Sequence, residues 1–266
     1  MPITSYVVEE GHGRGRGHVE HGRGKGLGHQ KHAHEAMADG EYTMVVSGIS
    51  HDNPTSANQS GAPATLADGS TMYTEAREGS IAVVSNAPAD GGDTTALRLE
   101  TDSNNGRLRL NNVYDADNRM TLGELDALNF DYYVASTSNP NSAPVIRLII
   151  DADGNPATTG DVGELVFEYV YQGLGPVPQG SWQNADLVGG DWTAWQRSFG
   201  VNRDQIVNMT EFSDWSDADG FTPAGGLHFD EDSLVLGWSV AYGSGNGAGV
   251  MYLDDLTVGG VTMQFG

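Results

Sequence analysis

The sequence predicts an all-β protein, an antiparallel two-sheet jelly-roll β-sandwich that occupies residues 41–266. Short segments of alternating apolar and polar residues follow one another, and Gly, Asn, Asp or Ser residues separate them. Long helical patterns do not alternate with these segments, which argues against βαβ units and a parallel sheet. Because the chain has 37 glycines and no cysteine, its fold depends on turns and a hydrophobic core, without disulfides.

Charge divides the chain into two parts. Residues 1–40 contain both lysines, six of the eight histidines and equal numbers of basic and acidic residues. This part is rich in Gly and His and too poor in apolar residues to offset its ordering entropy, so we expect a flexible leader. Residues 41–266 contain eight arginines and 31 acidic residues, and they hold the whole net charge of −23.

The acidic charge limits the partners of the protein. It repels the phosphates of nucleic acids and the surface of anionic membranes, and it favours hard cations such as Ca²⁺. No apolar run is long enough for a transmembrane helix, and residues 1–40 lack the apolar core of a secretory signal. An acidic, lysine-free surface is typical of an ordinary acidic secreted protein, and a halophilic or marine protein is the alternative.

The first predicted strand covers residues 41–49, which are rich in β-branched residues. Residues 51–69 follow as a loop with Pro, Asn, Ser and Gly. The segment 41–69 is therefore an additional strand and loop of the sandwich, or a strand that is exchanged with another subunit.

The clearest pair of strands covers residues 96–110. Leu97 and Leu99 alternate with charged residues, and Leu108 and Leu110 do the same after Asn105-Gly106. Asn-Gly is typical of tight hairpins. We predict an antiparallel hairpin with its leucines in the core and cross-strand Arg–Glu pairs on the solvent side.

Further strands are predicted wherever apolar residues alternate or form a short run. These segments are residues 128–135, 145–150, 164–171, 233–242, 250–258 and 261–265. In the fourth segment, Leu234, Leu236, Trp238, Val240 and Tyr242 recur at every second position, so we expect them to share a buried face. Residues 202–215 alone suggest a helix, of one or two turns.

These segments resemble a broad group of secreted or surface-attached prokaryotic β-sandwich proteins related to concanavalin-like and carbohydrate-binding-module jelly rolls. The resemblance extends over about residues 70–265, and its stretches are residues 79–84 with 96–99, 122–134, 164–168, 180–183 and 251–260. It implies a jelly roll, an extracellular or cell-surface location and polysaccharide as a partner. The group has no assigned catalytic residues, so the resemblance implies no active site.

One loop has the composition of a Ca²⁺ site. Asp151, Asp153, Asn155 and Asp161 follow an apolar strand, and alternating oxygen donors in such a loop can surround Ca²⁺. The loop is not an EF-hand, because Val162 occupies the position of the bidentate glutamate. A hairpin turn in which Asp and Asn bind the local backbone is the alternative.

Three other places carry potential metal ligands. Asp217 and Asp219 form a second candidate Ca²⁺ site. His32 and His34 of the leader could chelate a transition metal, and a solvated tail with incidental metal affinity is the alternative. The adjacent residues 254 and 255 are both Asp, and in a strand their side chains point to opposite faces, so at most one serves a given site.

Tryptophans are the candidate carbohydrate ligands. Trp182, Trp192 and Trp195 fall within one stretch of fourteen residues that is rich in Gly, Asp and Asn. Asp191 directly precedes Trp192. An indole face could pack on a sugar ring while carboxylates and amides bind the hydroxyls. The alternative is that Trp192 and Trp195 close one end of the core.

Three functions follow from these observations. The first is a non-catalytic extracellular or cell-surface protein that binds carbohydrate or forms a matrix and is stabilised by Ca²⁺. The second is a self-assembling structural subunit of a filament or surface layer, in which residues 41–49 pair with the sheet edge of a neighbour. The third is a divergent jelly-roll glycoside hydrolase or lyase.

The sequence Glu124-Leu125-Asp126 resembles the acidic motif of jelly-roll glucanases, but Asn129 stands near the place of the third acid. Leucines at 122, 125 and 128 fit a packing pattern better than a catalytic one. No arrangement of serine and histidine fits a hydrolase triad. We therefore expect a binding protein and no enzyme.

Overall fold

The structure is a computed structural model, and it describes residues 2–8, 42–198, 209–243 and 245–266. The described chain is almost entirely β-structure, with one short helix, α1 (Phe212–Ser216), and 3₁₀ turns at Leu122–Glu124 and Tyr169–Tyr171. In chain order the strands are β1 (Thr4–Val8), β2 (Tyr42–Ser47), β3 (Ser50–Asn53), β4 (Gln59–Ser60), β5 (Ala64–Thr65), β6 (Thr71–Arg77), β7 (Gly79–Val84), β8 (Ala96–Thr101), β9 (Arg107–Val113), β10 (Met120–Thr121), β11 (Leu128–Thr137), β12 (Val145–Asp151), β13 (Val162–Phe167), β14 (Trp182–Asp186), β15 (Thr193–Ser198), β16 (Thr210–Glu211), β17 (Leu234–Gly243), β18 (Gly249–Val258) and β19 (Val261–Phe265).

The strands form two sheets. Sheet A contains β1, β2, β3, β7, β8, β11, β14, β18 and β19, and sheet B contains the other ten strands. All strand pairs of the described residues are antiparallel except β2 with β19, which is parallel. The predicted two-sheet sandwich is confirmed, with this one parallel pair as a difference.

The core lies between the sheets and is formed by alternate residues of their strands. Leu97 and Leu99 of sheet A and Leu108 and Leu110 of sheet B are fully buried in one hydrophobic cluster. Full burial of such a side chain stabilises the fold by about 1.5–3 kcal/mol. The predicted burial of these four leucines and of Trp238 is confirmed.

The connection between β8 and β9 is not the predicted hairpin. β8 pairs with β7 and β18 in sheet A, whereas β9 pairs with β6 and β17 in sheet B. Gly106 is required at this crossing, because a Cβ there would lie 2.0 Å from Thr101 Oγ1. Alternating leucines fit a strand on either side of the core equally well, which is why the pattern did not exclude this arrangement. The predicted cross-strand pair is replaced by Arg98 and Glu100 of the same strand, 2.6 Å apart.

Strand β18 changes its partner halfway along its length. One edge pairs with β11, while the other pairs with β8 at residues 249–253 and with β19 at residues 256–258. Sheet A therefore divides into two branches, β8-β7-β3 and β19-β2-β1. Asp255 lies at the division with φ 47°, in a bulge of β18 against β11.

The second branch contains the N-terminal strands. β2 pairs with β1 on one side and with β19 on the other, so both of its edges are occupied within the chain. In this structure the outer strand of the branch is therefore β1, and β2 lies inside the sheet. Thr4–Val8 belongs to the predicted leader but forms a strand, because its Tyr and Val residues favour extended backbone. Residues 9–41, including His32 and His34, lie outside the described residues.

The predicted alternation of buried and exposed side chains in residues 233–242 is interrupted once, by a bulge. β17 has a register shift against β12 at Gly237, whose φ is 155°. Because a bulge moves the following residues to the other face, Val235 is fully buried while Leu234 and Leu236 are partly exposed. Trp238, beyond the bulge, faces the core as predicted.

Three other predicted segments differ in their bounds. The strand predicted over residues 164–171 ends at Phe167 and continues as a 3₁₀ turn. The predicted loop 51–69 contains the short strands β4 and β5 and most of β3. Of the predicted helix 202–215, residues 202–208 lie outside the described ranges, and the remainder contains β16 and all but the last residue of α1. No helix in the described ranges has the length and apolarity needed to cross a bilayer.

Candidate functional site

The outer face of sheet B carries a hollow of about 250 Å³. Its walls include half of the eight arginines in residues 41–266, namely Arg107, Arg109, Arg147 and Arg197. Trp195, Tyr171 and Glu168 line it as well. In a domain with 31 acidic residues, this concentration of cationic side chains marks the hollow as the candidate site.

Sheet register brings these side chains together from distant parts of the sequence. Ser239 of β17 lies opposite Arg147 of β12 on one side and opposite Asn111 of β9 on the other. Arg109 shares the face of Asn111, because side chains alternate along a strand. Val166 of β13 lies opposite Arg147 on one side and opposite Trp195 of β15 on the other, so the three residues form one row across the sheet.

The arginines outnumber the carboxylates that neutralise them. Glu164 is mostly buried and contacts three of them: Arg109 at 3.5 Å, Arg197 at 3.2 Å and Arg147 at 3.9 Å. Arg107 forms no salt bridge with a described residue, and its cross-strand partner on β6 is Arg77. Like charges directly opposite each other are destabilising. The hollow therefore has an excess of positive charge.

The pKa shifts agree with this excess. Burial and the neighbouring Arg109 lower the pKa of Arg147 to about 10, although Glu164 and Glu168 oppose the shift. Burial, with Arg109 next in importance, also lowers the pKa of Arg107. Desolvation and like charge are thus only partly compensated at these guanidinium groups.

Several hydrogen-bond donors on this face lack acceptors. Asn111 is 2% exposed and Ser239 is 1% exposed, yet Asn111 Nδ2 and Ser239 Oγ have no hydrogen-bond partner among the described residues. The Nε atoms of Arg109 and Arg147 are buried without a hydrogen bond to a described residue, although Arg147 Nε lies 3.9 Å from Glu164 Oε2. Buried donors are normally satisfied, so this face has capacity for a ligand or water that supplies acceptor oxygens.

The hollow also has an apolar part. Val145, Val166 and Ala241 form a small buried cluster on the outer face of sheet B, and Trp195 packs against it. The Trp195 indole N–H donates to Glu168 Oε2 at 3.0 Å, which fixes the ring. Burial raises the pKa of Glu168, against this hydrogen bond and the nearby Arg147. The site thus combines an oriented aromatic wall with cationic donors.

The predicted tryptophans do not form one platform. Trp182 lies on the outer face of sheet A, where its ring is 5.7 Å from that of Tyr133 and its N–H donates to the Pro88 carbonyl at 3.0 Å. Trp192 packs against the main core, 6.3 Å from the Tyr169 ring, and the preceding Asp191 is exposed. Among the three, Trp195 lies in the hollow.

The first predicted Ca²⁺ loop brings three of its four residues together. Carboxylate oxygens of Asp151, Asp153 and Asp161 lie within 4.8 Å of one another. Asp151 is 0% exposed, and neither of its carboxylate oxygens has a hydrogen-bond partner. Burial raises the pKa of Asp151, and Asp161 adds to the shift. The fourth residue, Asn155, accepts a hydrogen bond from the Ala157 N–H instead.

The second predicted Ca²⁺ site is a turn. Asp217 Oδ1 accepts hydrogen bonds from the N–H groups of Asp219 (3.1 Å) and Gly220 (2.7 Å). This is the local backbone role that short acidic side chains have in turns. In the described ranges, Asp217 and Asp219 belong to no metal-binding group of three residues.

Glu124 has a structural role. Its Oε2 accepts the Thr121 N–H at 2.9 Å in a capping box, and Leu122 and Leu125 are buried.

A larger hollow of about 540 Å³ lies at the edge of sheet A. Its lining includes the acidic residues Asp52, Glu78, Glu100 and Asp102 and no aromatic side chain.

The arginine hollow was not predicted from the sequence. Arg107 and Arg109 were expected on the solvent side of a hairpin, and Arg147 interrupts an apolar run. That interruption was the available signal, because a charged residue in such a strand must face a polar partner or solvent. Strand order, which the sequence does not give, decides that the arginines meet.

No family model matches the chain, and no curated protein matches it in sequence. Among solved structures, the chain is similar to a family 11 carbohydrate-binding module from Clostridium thermocellum in complex with a β-1,3-1,4-mixed-linked tetrasaccharide. The two are 12% identical with a TM-score of 0.34, and the match covers 79% of this chain and 90% of that one. This similarity is too low to transfer a ligand.

Proposed function

We propose that the protein is a non-catalytic carbohydrate-binding β-sandwich that acts outside the cell or at its surface, and that sugars bind in the arginine hollow. The observation that carries the proposal is the combination in one hollow of an oriented indole, Trp195, with the guanidinium groups of Arg107 and Arg109. Ligand sites typically join an aromatic wall to a few placed polar groups. Here the donors would bind sugar oxygens while the ring packs on the sugar face.

The carboxylates of this face support binding without catalysis. A glycosidase needs two carboxylates that are free to act on the glycosidic bond. Here Glu164 is held by three arginines, and Glu168 accepts the Trp195 indole N–H.

The test is binding to a panel of polysaccharides by affinity electrophoresis and calorimetry, with three tryptophan variants. Trp195→Ala is expected to weaken binding at least tenfold with little change in melting temperature. Trp182→Ala, on the opposite sheet, is the matched control and is expected to bind normally. Trp192→Ala is expected to lower the melting temperature, because Trp192 packs against the core. Binding that is lost in Trp182→Ala and retained in Trp195→Ala would move the site to sheet A, and no binding to any polymer would refute the proposal.

We also propose that Ca²⁺ stabilises the fold at Asp151, Asp153 and Asp161. A fully buried carboxylate without a hydrogen bond is costly unless a cation compensates it. The three carboxylates fit the oxygen preference of Ca²⁺, and backbone carbonyls and water would complete its six to eight ligands. Asp151 ends β12, so a bound ion would link this strand to the loop that precedes β13.

Calorimetric titration and thermal melts with Ca²⁺ after chelator treatment test this site. Ca²⁺ is expected to raise the melting temperature of the wild type, because it binds the folded state. Asp151→Asn is expected to abolish that rise and to stabilise the metal-free protein, whereas Asp217→Asn should keep the rise. A wild-type melt that does not respond to Ca²⁺ would rule the site out.

A further inference from the structure

We propose, on the basis of the carbohydrate-binding function inferred above, that the hollow selects acidic polysaccharides and binds the carboxylate of a uronic acid residue through Arg107 and its neighbour Arg109. These two arginines lie two residues apart on the same face of β9, and both line the hollow. The net positive charge of the hollow and the binding of Glu164 by neighbouring arginines support this ligand class.

The charge balance indicates an anionic ligand. Four arginines line the hollow, and Arg77 lies opposite one of them, Arg107. Three carboxylates oppose these five charges: Glu164, which contacts three of the arginines, Glu168, which accepts the Trp195 N–H, and Glu75, which lies opposite Arg109. A neutral sugar would leave the excess charge uncompensated. One carboxylate per bound sugar residue would reduce it.

Arg107 is the guanidinium with capacity for this carboxylate. It forms no salt bridge with a described residue, it faces Arg77 across the strand pair, and it lines the hollow. Arg109 adds like charge beside Arg107, and the nearby Glu75 offsets part of it. A ligand carboxylate beside Arg107 and Arg109 would offset more, and a guanidinium can bind both oxygens of a carboxylate at once.

The protein itself contains an example of several arginines that bind one carboxylate. The Glu164 carboxylate is bound by Arg109, Arg147 and Arg197 at 3.2–3.9 Å on the same face. A hollow of about 250 Å³ is smaller than the roughly 300–1,000 Å³ of drug-sized ligand pockets, so a small group enters it.

The net charge of −23 does not oppose this proposal at physiological salt. Charges more than about 8 Å apart are largely screened at 0.15 M ionic strength. The acidic surface therefore contributes weak repulsion at long range, while arginines in direct contact with ligand oxygens keep most of their attraction. Binding should therefore be measured at that ionic strength.

The experiment compares three classes of polymer at 0.15 M NaCl: polygalacturonate, neutral galactan and sulfated carrageenan. Polygalacturonate is expected to bind at least tenfold more tightly than galactan. Arg107→Gln is expected to reduce binding of polygalacturonate at least tenfold and to reduce galactan binding much less, so that the preference for the acidic polymer is lost. Arg98→Gln, an arginine on the outer face of sheet A, is the matched control and should bind as the wild type does. Equal melting temperatures establish that each variant is folded.

The outcomes separate this inference from the proposed function. If no polymer binds, the carbohydrate-binding function itself is wrong. If galactan binds as tightly as polygalacturonate and Trp195→Ala alone weakens binding, the function stands and the acidic selectivity is wrong. Preference for carrageenan would assign the hollow to sulfate and overturn the carboxylate, as would an equal loss in Arg107→Gln and Arg98→Gln.

Discussion

The Asp254 carboxylate accepts a hydrogen bond from the backbone N–H of Phe265 at 3.2 Å, where β18 passes from β8 to β19. The bulge at Asp255 interrupts regular pairing there, and the Asp254 side chain supplies the missing acceptor. Asp254 is 4% exposed, and burial raises its pKa to about 7. A carboxylate that is costly to ionise therefore connects the last strand to the division of sheet A.

This pKa predicts a loss of stability as the pH rises. Because the folded-state pKa lies above the ordinary value of 3.8, the folded protein binds more protons than the unfolded chain between about pH 4 and 7. Stability should fall through this window, and Asp254→Asn, which keeps an acceptor oxygen, should remove that part of the fall. Relative to the wild type, we expect a gain of about 1 kcal/mol at pH 8 over pH 5, about 2–4 °C in melting temperature. Urea unfolding at both pH values measures it, and equal pH dependence in the two proteins would contradict it.

The backbone conformation of Asp255, at the same bulge, leads to a second prediction about stability. Its φ of 47° is left-handed, a region that Asn and Asp tolerate and β-branched residues avoid. Asp255→Val should destabilise the protein by about 1–2 kcal/mol, whereas Asp255→Asn should stay within about 0.5 kcal/mol. Asn also preserves an acceptor for the Gln264 amide, which donates to Asp255 Oδ1 at 3.0 Å. Equal urea midpoints for the two variants would show that φ is not the cause.

The crossing between β8 and β9 can be tested with engineered disulfides, because the chain has no cysteine of its own. Ala82 and Arg98 are direct partners in β7 and β8, so the pair Ala82→Cys and Arg98→Cys should oxidise readily. In the alternative hairpin, with Asn105-Gly106 as its two-residue turn, Glu100 and Asn111 would be partners. The pair Glu100→Cys and Asn111→Cys should stay reduced, since these residues lie in different sheets. Thiol titration under non-denaturing conditions reads out both, and the reverse pattern would restore the hairpin.

Local patterns were sufficient for the strands and for most of the core. Alternation placed Leu97, Leu99, Leu108 and Leu110 inside, and the β-branched runs marked β2, β12 and β19. Alternation does not tell which sheet a strand joins, so it left the crossing after β8 undetermined. It also failed at Gly237, because a single bulge moves the residues on one side of it to the other face.

The candidate sites differ in how far the sequence could predict them. Asp151, Asp153 and Asp161 lie in one loop, so their spacing alone brought them together as a candidate. The arginine hollow depends on four strands whose order only the fold determines. For the same reason Trp182 and Trp195, close in sequence, were grouped as one site although they lie on opposite sheets.

A substitution at Glu164 tests how much stability the shared carboxylate gives to the arginine cluster. Glu164→Gln keeps the shape of the side chain but leaves Arg109, Arg147 and Arg197 without a negative partner. Removing one member of a buried ion pair is strongly destabilising, so we expect a loss of at least about 2 kcal/mol at pH 7. The control is Glu100→Gln, which removes the partner of Arg98 in a more exposed pair and should cost less than about 1 kcal/mol. Because salt screens the remaining repulsion between arginines, added NaCl should recover part of the stability of Glu164→Gln. Urea unfolding at low and high salt measures both effects, and equal losses in the two variants would mean that the arginines do not depend on Glu164.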